Sequence, residues 1–194
     1  PGMGGAMEAM RALGAGVDSA APVVIDADGL NLVAASLDLQ ERVARRQAGT
    51  VVTPHPLEAA RLLGISAAEV QADRLGTARN LARRLQAVVV LKGAGSVIAR
   101  PEGDVVINPT GNPGLATGGS GDVLAGVCGA LLAQGWPAWE AAIGAVWMHG
   151  TAAERLVESG IGPVGMTAGE LPAAVRAVLN ELVSKHGRSQ SRAG

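Results

Sequence analysis

The 194-residue sequence predicts an α/β fold in which helices cover both faces of a mostly parallel sheet. Three short β-branched runs, PVVI at 22–25, TVVT at 50–53 and AVVVL at 87–91, have the length and composition of buried parallel strands. Helical patterns fill the intervals between these runs. Alternation of this kind, in a chain of ordinary single-domain length, predicts one three-layer α/β/α sandwich.

The elements after the third strand follow from turn and capping signals. The runs at 96–99 (SVIA) and 104–107 (DVVI) flank a turn and predict a hairpin. Two long, mostly buried helices are predicted over 122–134 and 138–158.

Two capping boxes mark further helices. Ser66-Ala-Ala-Glu69 predicts the start of one helix whose apolar face continues through Ala78, Leu81 and Leu85. Thr167-Ala-Gly-Glu170 predicts the start of the last helix, from Leu171 to about Val183. We therefore assign residues 1–186 to a single domain and predict a disordered tail over 187–194.

The composition excludes several classes of partner. Sixteen Lys and Arg against 17 Asp and Glu give a net charge of -1, which favours neither nucleic acid nor an anionic membrane. The chain has three Trp, no Phe and no Tyr, so it has few platforms on which bases could stack. Its single cysteine, Cys128, is predicted to be an inert core thiol, which fits the cytoplasm. No stretch approaches the roughly 18 apolar residues of a membrane span.

Polar clusters follow the predicted strands at the points where those strands end. DADGLN occupies 26–31, PHPLE 54–58 and KGAGS 92–96. A glycine-rich run at 108–126, NPTGNPGLATGGSGDVLAG, adds a fourth loop. Ligands of parallel α/β sheets bind outside the carboxyl ends of the strands, so the four loops predict a binding site at one rim of the sheet.

The glycine-rich run differs from the better-known phosphate loops. Residues 114–119 have the glycine spacing of a P-loop, but Ser120 stands where the lysine would be. The run also lacks the spacing and downstream acid of a dinucleotide fingerprint. What remains is a group of glycines at a helix start, whose amides and partial positive charge favour an anion. The predicted anion hole comprises Gly118, Gly119, Ser120 and Gly121.

Asp122 falls in the first turn of the helix that follows. The helix end stabilises its carboxylate, which is placed to take a proton from a hydroxyl facing a bound phosphate. A simple helix cap is the alternative, but a cap needs one residue. The number of glycines therefore favours the anion hole with Asp122 as its base.

Two of the other rim loops have a structural and a functional interpretation. The 92–96 loop is either a hairpin turn with a solvated lysine or a backbone cradle for a nucleotide's phosphate or ribose, with Lys92 supplying charge. His55 is held between two prolines at the predicted ligand rim, which favours it over His149, predicted to lie in a buried helix. Asp26 and Asp28 fit a metal pair, but Asp28 fits a helix cap equally well. The tryptophans fit helix packing.

Four segments together resemble the ADP-dependent NAD(P)H-hydrate dehydratases, a ribokinase-like family. They are VVIDADGLN (23–31), TPHPLEAARLLG (53–64), VVVLKGAGSVIA (88–99) and the run at 108–126, and the resemblance extends from Pro1 to about Glu158. It implies a ribokinase-like fold whose first βα units precede this segment. It also implies a cytoplasmic, homo-oligomeric repair enzyme, with a tetramer as one possible form. Such enzymes use ADP, with Mg²⁺, to dehydrate the 6S form of hydrated NADH or NADPH, yielding AMP and phosphate.

The resemblance also implies roles for individual residues. Asp122 matches the family's catalytic aspartate, and Gly121 matches a glycine at the AMP portion of the nucleotide. His55, Gly2 and Gly4 match positions that contact the hydrated dinucleotide. The nucleotide-binding stretch corresponds to Lys92, Gly93, Ala94, Gly95 and Ser96, with Asp26, Asn31, Glu58 and Asn112 as supporting candidates and no ligand set assigned to a metal.

Two other functions stay open on the residues alone. A small-molecule kinase of the same fold, of the hydroxyethylthiazole or hydroxymethylpyrimidine type, would use the same anion hole and aspartate with ATP. A non-catalytic nucleotide-binding protein would use the loops without the base.

Overall fold

A five-stranded sheet lies at the centre of the molecule. The structure is a computed structural model that describes Gly2 and residues 7–190. The sheet order is β1-β2-β3-β4-β5, and each strand lies within a predicted run. The strands are β1 (Val23–Ile25), β2 (Thr50–Val52), β3 (Val88–Leu91), β4 (Val97–Ala99) and β5 (Val105–Ile107).

The sheet is mixed. Strands β1, β2 and β3 pair in parallel, whereas β4 pairs antiparallel with both β3 and β5. The predicted hairpin accounts for the β4–β5 pairing, and β5 consequently runs in the same direction as β3. The carboxyl ends of β1, β2, β3 and β5 therefore meet at one rim, together with the loop that enters β4.

Helices cover both faces of this sheet. Over the described residues they are α1 (Met7–Asp18), α2 (Asp28–Ala35), α3 (Leu37–Ala44), α4 (Pro56–Leu63), α5 (Ala67–Ala72), α6 (Arg74–Leu85), α7 (Ser120–Ala133), α8 (Ala138–Glu158) and α9 (Leu171–Gln190). One core lies between the sheet and α1 to α6, and a second between the sheet and α7 to α9. Successive residues of β3 alternate between them, because Val89 packs in the first core and Val90 in the second. The predicted three-layer sandwich is thus confirmed.

The helix predicted from Ser66 onward is broken at Asp73. Both capping-box hydrogen bonds form at its start, but α5 ends after six residues. The Asp73 carboxylate then accepts a hydrogen bond from the Gly76 amide at 2.7 Å and caps a new helix, α6. A Cβ at position 76 would lie 2.0 Å from Oδ2 of Asp73, so a larger residue there would force this carboxylate to shift. The predicted face of α6 is buried, including Ala78, Leu81 and Leu85.

The last helix begins at its predicted capping box but continues further than predicted. The carboxylate of Glu170 accepts from the backbone amide of Thr167 at 2.7 Å. Helix α9 then runs to Gln190 rather than ending near Val183. Residues 191–194 of the predicted tail lie outside the described residues.

The prediction that Cys128 is a core residue is confirmed, and of the three tryptophans Trp139 and Trp147 pack as predicted, whereas Trp136 is 43% exposed. Cys128 is 1% exposed, and burial raises the pKa of its thiol to about 12, so it is a protonated core residue at neutral pH. Trp139 and Trp147 pack against the second core, and the Arg100 guanidinium lies 5.2 Å from the centroid of the Trp139 ring.

In the described part of the chain, every helix is too short or too polar to cross a bilayer.

Candidate active site

An ion pair joins two of the rim loops. Nζ of Lys92, which follows β3, lies 2.7 Å from a carboxylate oxygen of Asp26, which follows β1. The Asp26 side chain is 1% exposed and that of Lys92 20%, so the pair is largely withdrawn from water. Between Asp26 and α2, Ala27 has a φ of 50°, a strained value for a residue other than glycine. Helix α2 thus starts at Asp28, and the predicted cap residue is instead the first residue of the helix.

The loop after β2 adds a carboxylate to this pair. Glu58 is 4% exposed, and its Oε2 lies 4.0 Å from Nζ of Lys92. The same carboxylate accepts from the backbone amide of His55 at 2.8 Å. Three rim loops therefore converge on one ammonium group, which leaves Lys92 paired within the protein.

His55 caps α4. Its Nδ1 accepts from the amides of Leu57 and Glu58 at 3.1 and 3.3 Å, and Pro56 occupies the first helical position. Because Nδ1 is an acceptor, the neutral ring carries its proton on Nε2, 3.4 Å from Oε1 of Glu58. The imidazole is 42% exposed, so its edge remains open to a ligand while its backbone is fixed.

The predicted anion hole lies at the start of α7. Gly119 is the N-cap residue, with a φ of 87°, and Ser120 is the first residue of the helix. Oγ of Ser120 donates to the Leu115 carbonyl at 2.6 Å, which fixes the entering chain. Asp122 is the third helical residue, as predicted, and its side chain is exposed. The structure therefore combines a helix N-terminus, a left-handed glycine and a solvent-facing carboxylate within four residues.

Gly121 connects this helix start to the buried ion pair. A Cβ at position 121 would lie 3.3 Å from Nζ of Lys92 and 3.7 Å from Oδ2 of Asp26. The α7 backbone thus approaches the ammonium closely, and the Lys92–Asp26 ion pair lies directly beside the start of the helix.

A cavity of about 540 Å³ opens beside the same helix start. This volume suits a nucleotide-sized ligand. Its walls are the 92–96 loop, residues 108–113, the first turn of α7 and one face of α8. Gly121 and Ser120 line it, whereas Asp122 does not. The Asp122 side chain is thus exposed next to two residues that line the cavity.

The 92–96 loop and residues 108–113, which form two walls of the cavity, are hydrogen-bonded to each other and to α8. The Asn108 amide donates to the Ser96 carbonyl at 2.9 Å. Oγ1 of Thr110 donates to the Trp147 carbonyl at 3.2 Å, and the Gly111 amide donates to Oε1 of Glu154 at 2.9 Å. A side chain at position 150 would overlap Thr110, so this close approach requires Gly150.

Two buried polar atoms belong to residues of this cavity wall. Nδ2 of Asn112 and Nε2 of His149 have no hydrogen-bond partner among the described residues. The amide oxygen of Asn112 accepts from Gly114 at 2.9 Å and caps a 3₁₀ turn over Pro113–Ala116. His149 is buried as predicted, and desolvation lowers its pKa to about 4, partly offset by a hydrogen bond with the backbone of Ser120. A neutral imidazole thus packs against the start of α7.

The other residues predicted for the site do not all lie at the cavity. Asn31 accepts from Nη1 of Arg61 at 2.8 Å, on the His55 side. Gly2 is exposed and does not line the cavity, and Gly4 lies outside the described residues. In the range that the structure describes, no three acidic, histidine or cysteine side chains cluster as metal ligands.

The contacts that hold the site together include residues without a local sequence signal. Arg74 and Glu154 bond to rim loops, although each resembles an ordinary surface residue in the sequence. Only the glycines beside them, Gly93 and Gly150, indicate close backbone approach, and glycine alone does not identify the partner.

The arrangement has a clear chemical capacity. A helix N-terminus with a left-handed glycine can hold an anion. The cavity and the polar cluster of Asp26, Glu58 and His55 both adjoin this helix start, since Gly121 lines the cavity and approaches the Lys92–Asp26 pair. The exposed carboxylate of Asp122 in the same turn can take a proton from a group presented to the anion.

Comparison with known proteins relates this geometry to one family. A model of the NAD(P)H-hydrate dehydratase family matches residues 1–175. The ADP-dependent (S)-NAD(P)H-hydrate dehydratase of Neisseria meningitidis serogroup B is 46% identical over 162 residues, which cover 83% of this chain and 54% of that protein. The bifunctional NAD(P)H-hydrate repair enzyme Nnr of Escherichia coli K12 is 40% identical over 191 residues, or 98% of this chain and 36% of that enzyme.

A solved structure extends the likeness to the fold. The ADP/ATP-dependent NAD(P)H-hydrate dehydratase of Bacillus subtilis, co-crystallized with ATP/Mg²⁺ and soaked with CoA, aligns with a TM-score of 0.78 at 32% identity. The alignment covers 91% of this chain and 62% of that one. The predicted ribokinase-like fold is thus confirmed. The chain spans about half or less of the length of these two curated relatives.

Proposed function

The chain belongs to the NAD(P)H-hydrate dehydratase family, and from this premise we propose that it carries out the ADP-dependent dehydration of the 6S form of hydrated NADH or NADPH. The products would be the reduced dinucleotide, AMP and phosphate. One observation carries the proposal: the start of α7 adjoins a nucleotide-sized cavity and carries the exposed carboxylate of Asp122 in its first turn.

In this proposal ADP occupies the cavity and the hydrated dinucleotide lies on the side of His55. The backbone of residues 92–96 would contact the nucleotide, and the amides of residues 118–121 would hold its terminal phosphate. Mg²⁺, carried by the phosphates, would neutralise their charge. The ion pair of Lys92 with Asp26 lies behind Gly121 and would hold this helix start in place.

The proton that Asp122 would take is that of the C6 hydroxyl of the hydrate. The hydroxyl oxygen then bonds to the terminal phosphorus of ADP, and the bond from that phosphorus to the bridging oxygen breaks to release AMP. The C6–O bond breaks next, with electrons from the nitrogen of the tetrahydropyridine ring, and the adjacent C5 proton passes to water as the C5–C6 double bond forms. The phosphate that leaves is a far better leaving group than hydroxide.

The test is to mix the purified full chain with chemically hydrated NADH, ADP and Mg²⁺ and to follow the absorbance of reduced nicotinamide. The proposal predicts recovery of that absorbance with one AMP released per NADH. Nucleotide binding with neither recovery nor AMP would instead support a non-catalytic nucleotide-binding protein. In a parallel mixture with ATP and a small alcohol, a phosphorylated alcohol formed while the first mixture shows no recovery would support a kinase.

The proposal includes a cytoplasmic homo-oligomer, as the family resemblance implies. Light scattering of the purified chain during gel filtration measures its mass in solution, and a mass of 19.4 kDa would contradict the oligomer.

A further inference from the structure

Arg74 connects α6 to a loop of the candidate site. It is the first residue of α6, directly after the helix break at Asp73. Its Nη2 donates to the carbonyls of Leu91, Lys92 and Gly95 at 3.1, 3.4 and 3.5 Å, and the first is the best-formed bond. One guanidinium therefore gathers three carbonyls from a stretch of five residues.

These bonds fix which way the loop amides point. In a trans peptide the carbonyl and the following N–H point in opposite directions. The amides of Gly93 and Ser96 follow the bonded carbonyls of Lys92 and Gly95, so they point away from the guanidinium. Both residues line the cavity. Arg74 thus holds carbonyl oxygens away from a ligand and leaves N–H donors available to it.

The loop conformation depends on this arrangement. Gly93 has a φ of 146° and Gly95 a φ of 63°, both values that favour glycine. A Cβ at position 93 would lie 2.9 Å from Nη1 of Arg74, so the guanidinium occupies the space that a side chain would need. Nη1 also donates to Oε1 of Gln71 at 3.1 Å, which fixes the arginine from the helix side.

The charge of Arg74 contributes as well. Partial burial lowers its pKa, but a guanidinium stays protonated at neutral pH. Its hydrogen-bond partners are carbonyl and amide oxygens. Among the described residues, no acidic side chain forms an ion pair with it. Its positive charge is therefore not neutralised locally and adds to the field at the loop.

We propose that Arg74 is a positioning residue that shapes the 92–96 loop into a cradle of N–H donors for the phosphate or ribose oxygens of a nucleoside diphosphate. The identity of this ligand rests on the proposed function, whereas the shaping of the loop does not.

Three variants test this inference. Arg74→Ala removes the guanidinium, and Arg74→Lys keeps the charge but cannot reach three carbonyls with a planar fork. Arg79→Ala is the matched control, because Arg79 lies on the same helix and its Nε donates to the Gly103 carbonyl at 3.2 Å, in the hairpin turn away from the cavity. Thermal melting identifies any variant that fails to fold.

The first measurement is ADP binding by calorimetry. We expect Arg74→Ala to raise the dissociation constant about tenfold or more, Arg74→Lys to raise it less, and Arg79→Ala to leave it within about twofold. Equal effects of Arg74→Ala and Arg79→Ala, or no effect of Arg74→Ala, would overturn the inference.

The second measurement needs no ligand. Hydrogen exchange of the amides of Lys92 and Asn108, which donate to the Pro54 and Ser96 carbonyls at the two sides of the loop, should be faster in Arg74→Ala than in the parent chain and unchanged in Arg79→Ala. If the parent chain fails to bind ADP, the proposed function fails, and exchange still decides whether Arg74 shapes the loop. Identical exchange rates in the parent chain and Arg74→Ala would overturn the shaping role.

Discussion

The ammonium of Lys92 and the carboxylate of Asp26 lie 2.7 Å apart, although 66 residues separate them in the sequence. The contact joins the ends of β1 and β3, which are not adjacent in the sheet, across the end of β2. Since Glu58 follows β2 and lies 4.0 Å from the same ammonium, the pair holds three strand ends together beneath the start of α7. The ion pair therefore stabilises the structure of the site as well as contributing charged groups to it.

We predict that Lys92→Met lowers the free energy of unfolding by about 3 kcal/mol, because it leaves the Asp26 carboxylate buried without its partner. The double variant Lys92→Met with Asp26→Asn should lose less than the sum of the two single losses. Urea unfolding measures all three. Lys185→Met is the control, because its pair with Glu181 is 65% exposed at the lysine and should change stability by less than about 0.5 kcal/mol. Strictly additive losses would contradict a coupled pair.

Gly121 and Gly126 allow a comparison within α7. A Cβ at position 126 meets nothing within 4 Å, so Gly126→Ala should stabilise the chain by about 0.5–1 kcal/mol through helix propensity. Gly121→Ala should gain less, because its Cβ would displace Lys92, and it should weaken ADP binding. Urea unfolding and calorimetry measure the two effects. Unchanged ADP binding in Gly121→Ala would show that the close approach to Lys92 is unimportant.

His149 predicts a specific pH dependence of stability. Its pKa falls from about 6.5 in the unfolded chain to about 4 in the folded protein, so the unfolded state binds more protons between these values. Stability is therefore full above pH 6.5 and declines as the pH falls toward 4, by on the order of 3 kcal/mol in total. His149→Gln, which cannot titrate, should flatten urea-unfolding stability over this window.

Two carboxylates should affect the pH dependence of stability at a lower pH than His149 does. Hydrogen bonds from Ser66 lower the pKa of Glu69. Ion pairs with Lys185 and Arg155 lower the pKa of Glu181. Their stabilisation is present above about pH 4.5 and is lost as the pH falls through their lowered pKa values. A slope between pH 6.5 and 4.5 that persists in His149→Gln would exclude His149 as its source.

Asp122→Asn should separate catalysis from binding. Removal of the carboxylate should lower turnover by about 10²-fold or more, while ADP binding stays within a few-fold, because the amides of the helix start remain. Glu140→Gln is the matched control: Glu140 is the third residue of α8, as Asp122 is of α7. Normal turnover in Asp122→Asn would show that another group takes the proton.

Local signals in the sequence predicted most of the fold. The strands are short β-branched runs, and the capping boxes at Ser66 and Thr167 depend on residues three apart, so both are readable without tertiary information. The break at Asp73 was also encoded locally, as an acid three residues before a glycine. The apolar periodicity of 78–85, however, predicts one continuous helix from Ser66 and gives no sign of the break.

The candidate site was predictable in outline only. The positions of the rim loops follow from parallel strand pairing, but the partners of individual side chains do not. Lys92 resembled a free cation in the sequence and proved to be paired with Asp26. Arg74 resembled a surface residue and bonds to the loop beside it in space. Such contacts depend on which elements the fold brings together, and no local pattern records that.

The antiparallel hairpin of β4 and β5 has a mechanical consequence for the cavity. Its two ends carry the 92–96 loop and residues 108–112, and the amide of Asn108 clips one to the other through the Ser96 carbonyl. The two loops are therefore joined at the cavity as well as through the hairpin, and they cannot separate without breaking this hydrogen bond. Since Thr110 and Gly111 are bonded to α8, the hairpin also couples the 92–96 loop to that helix.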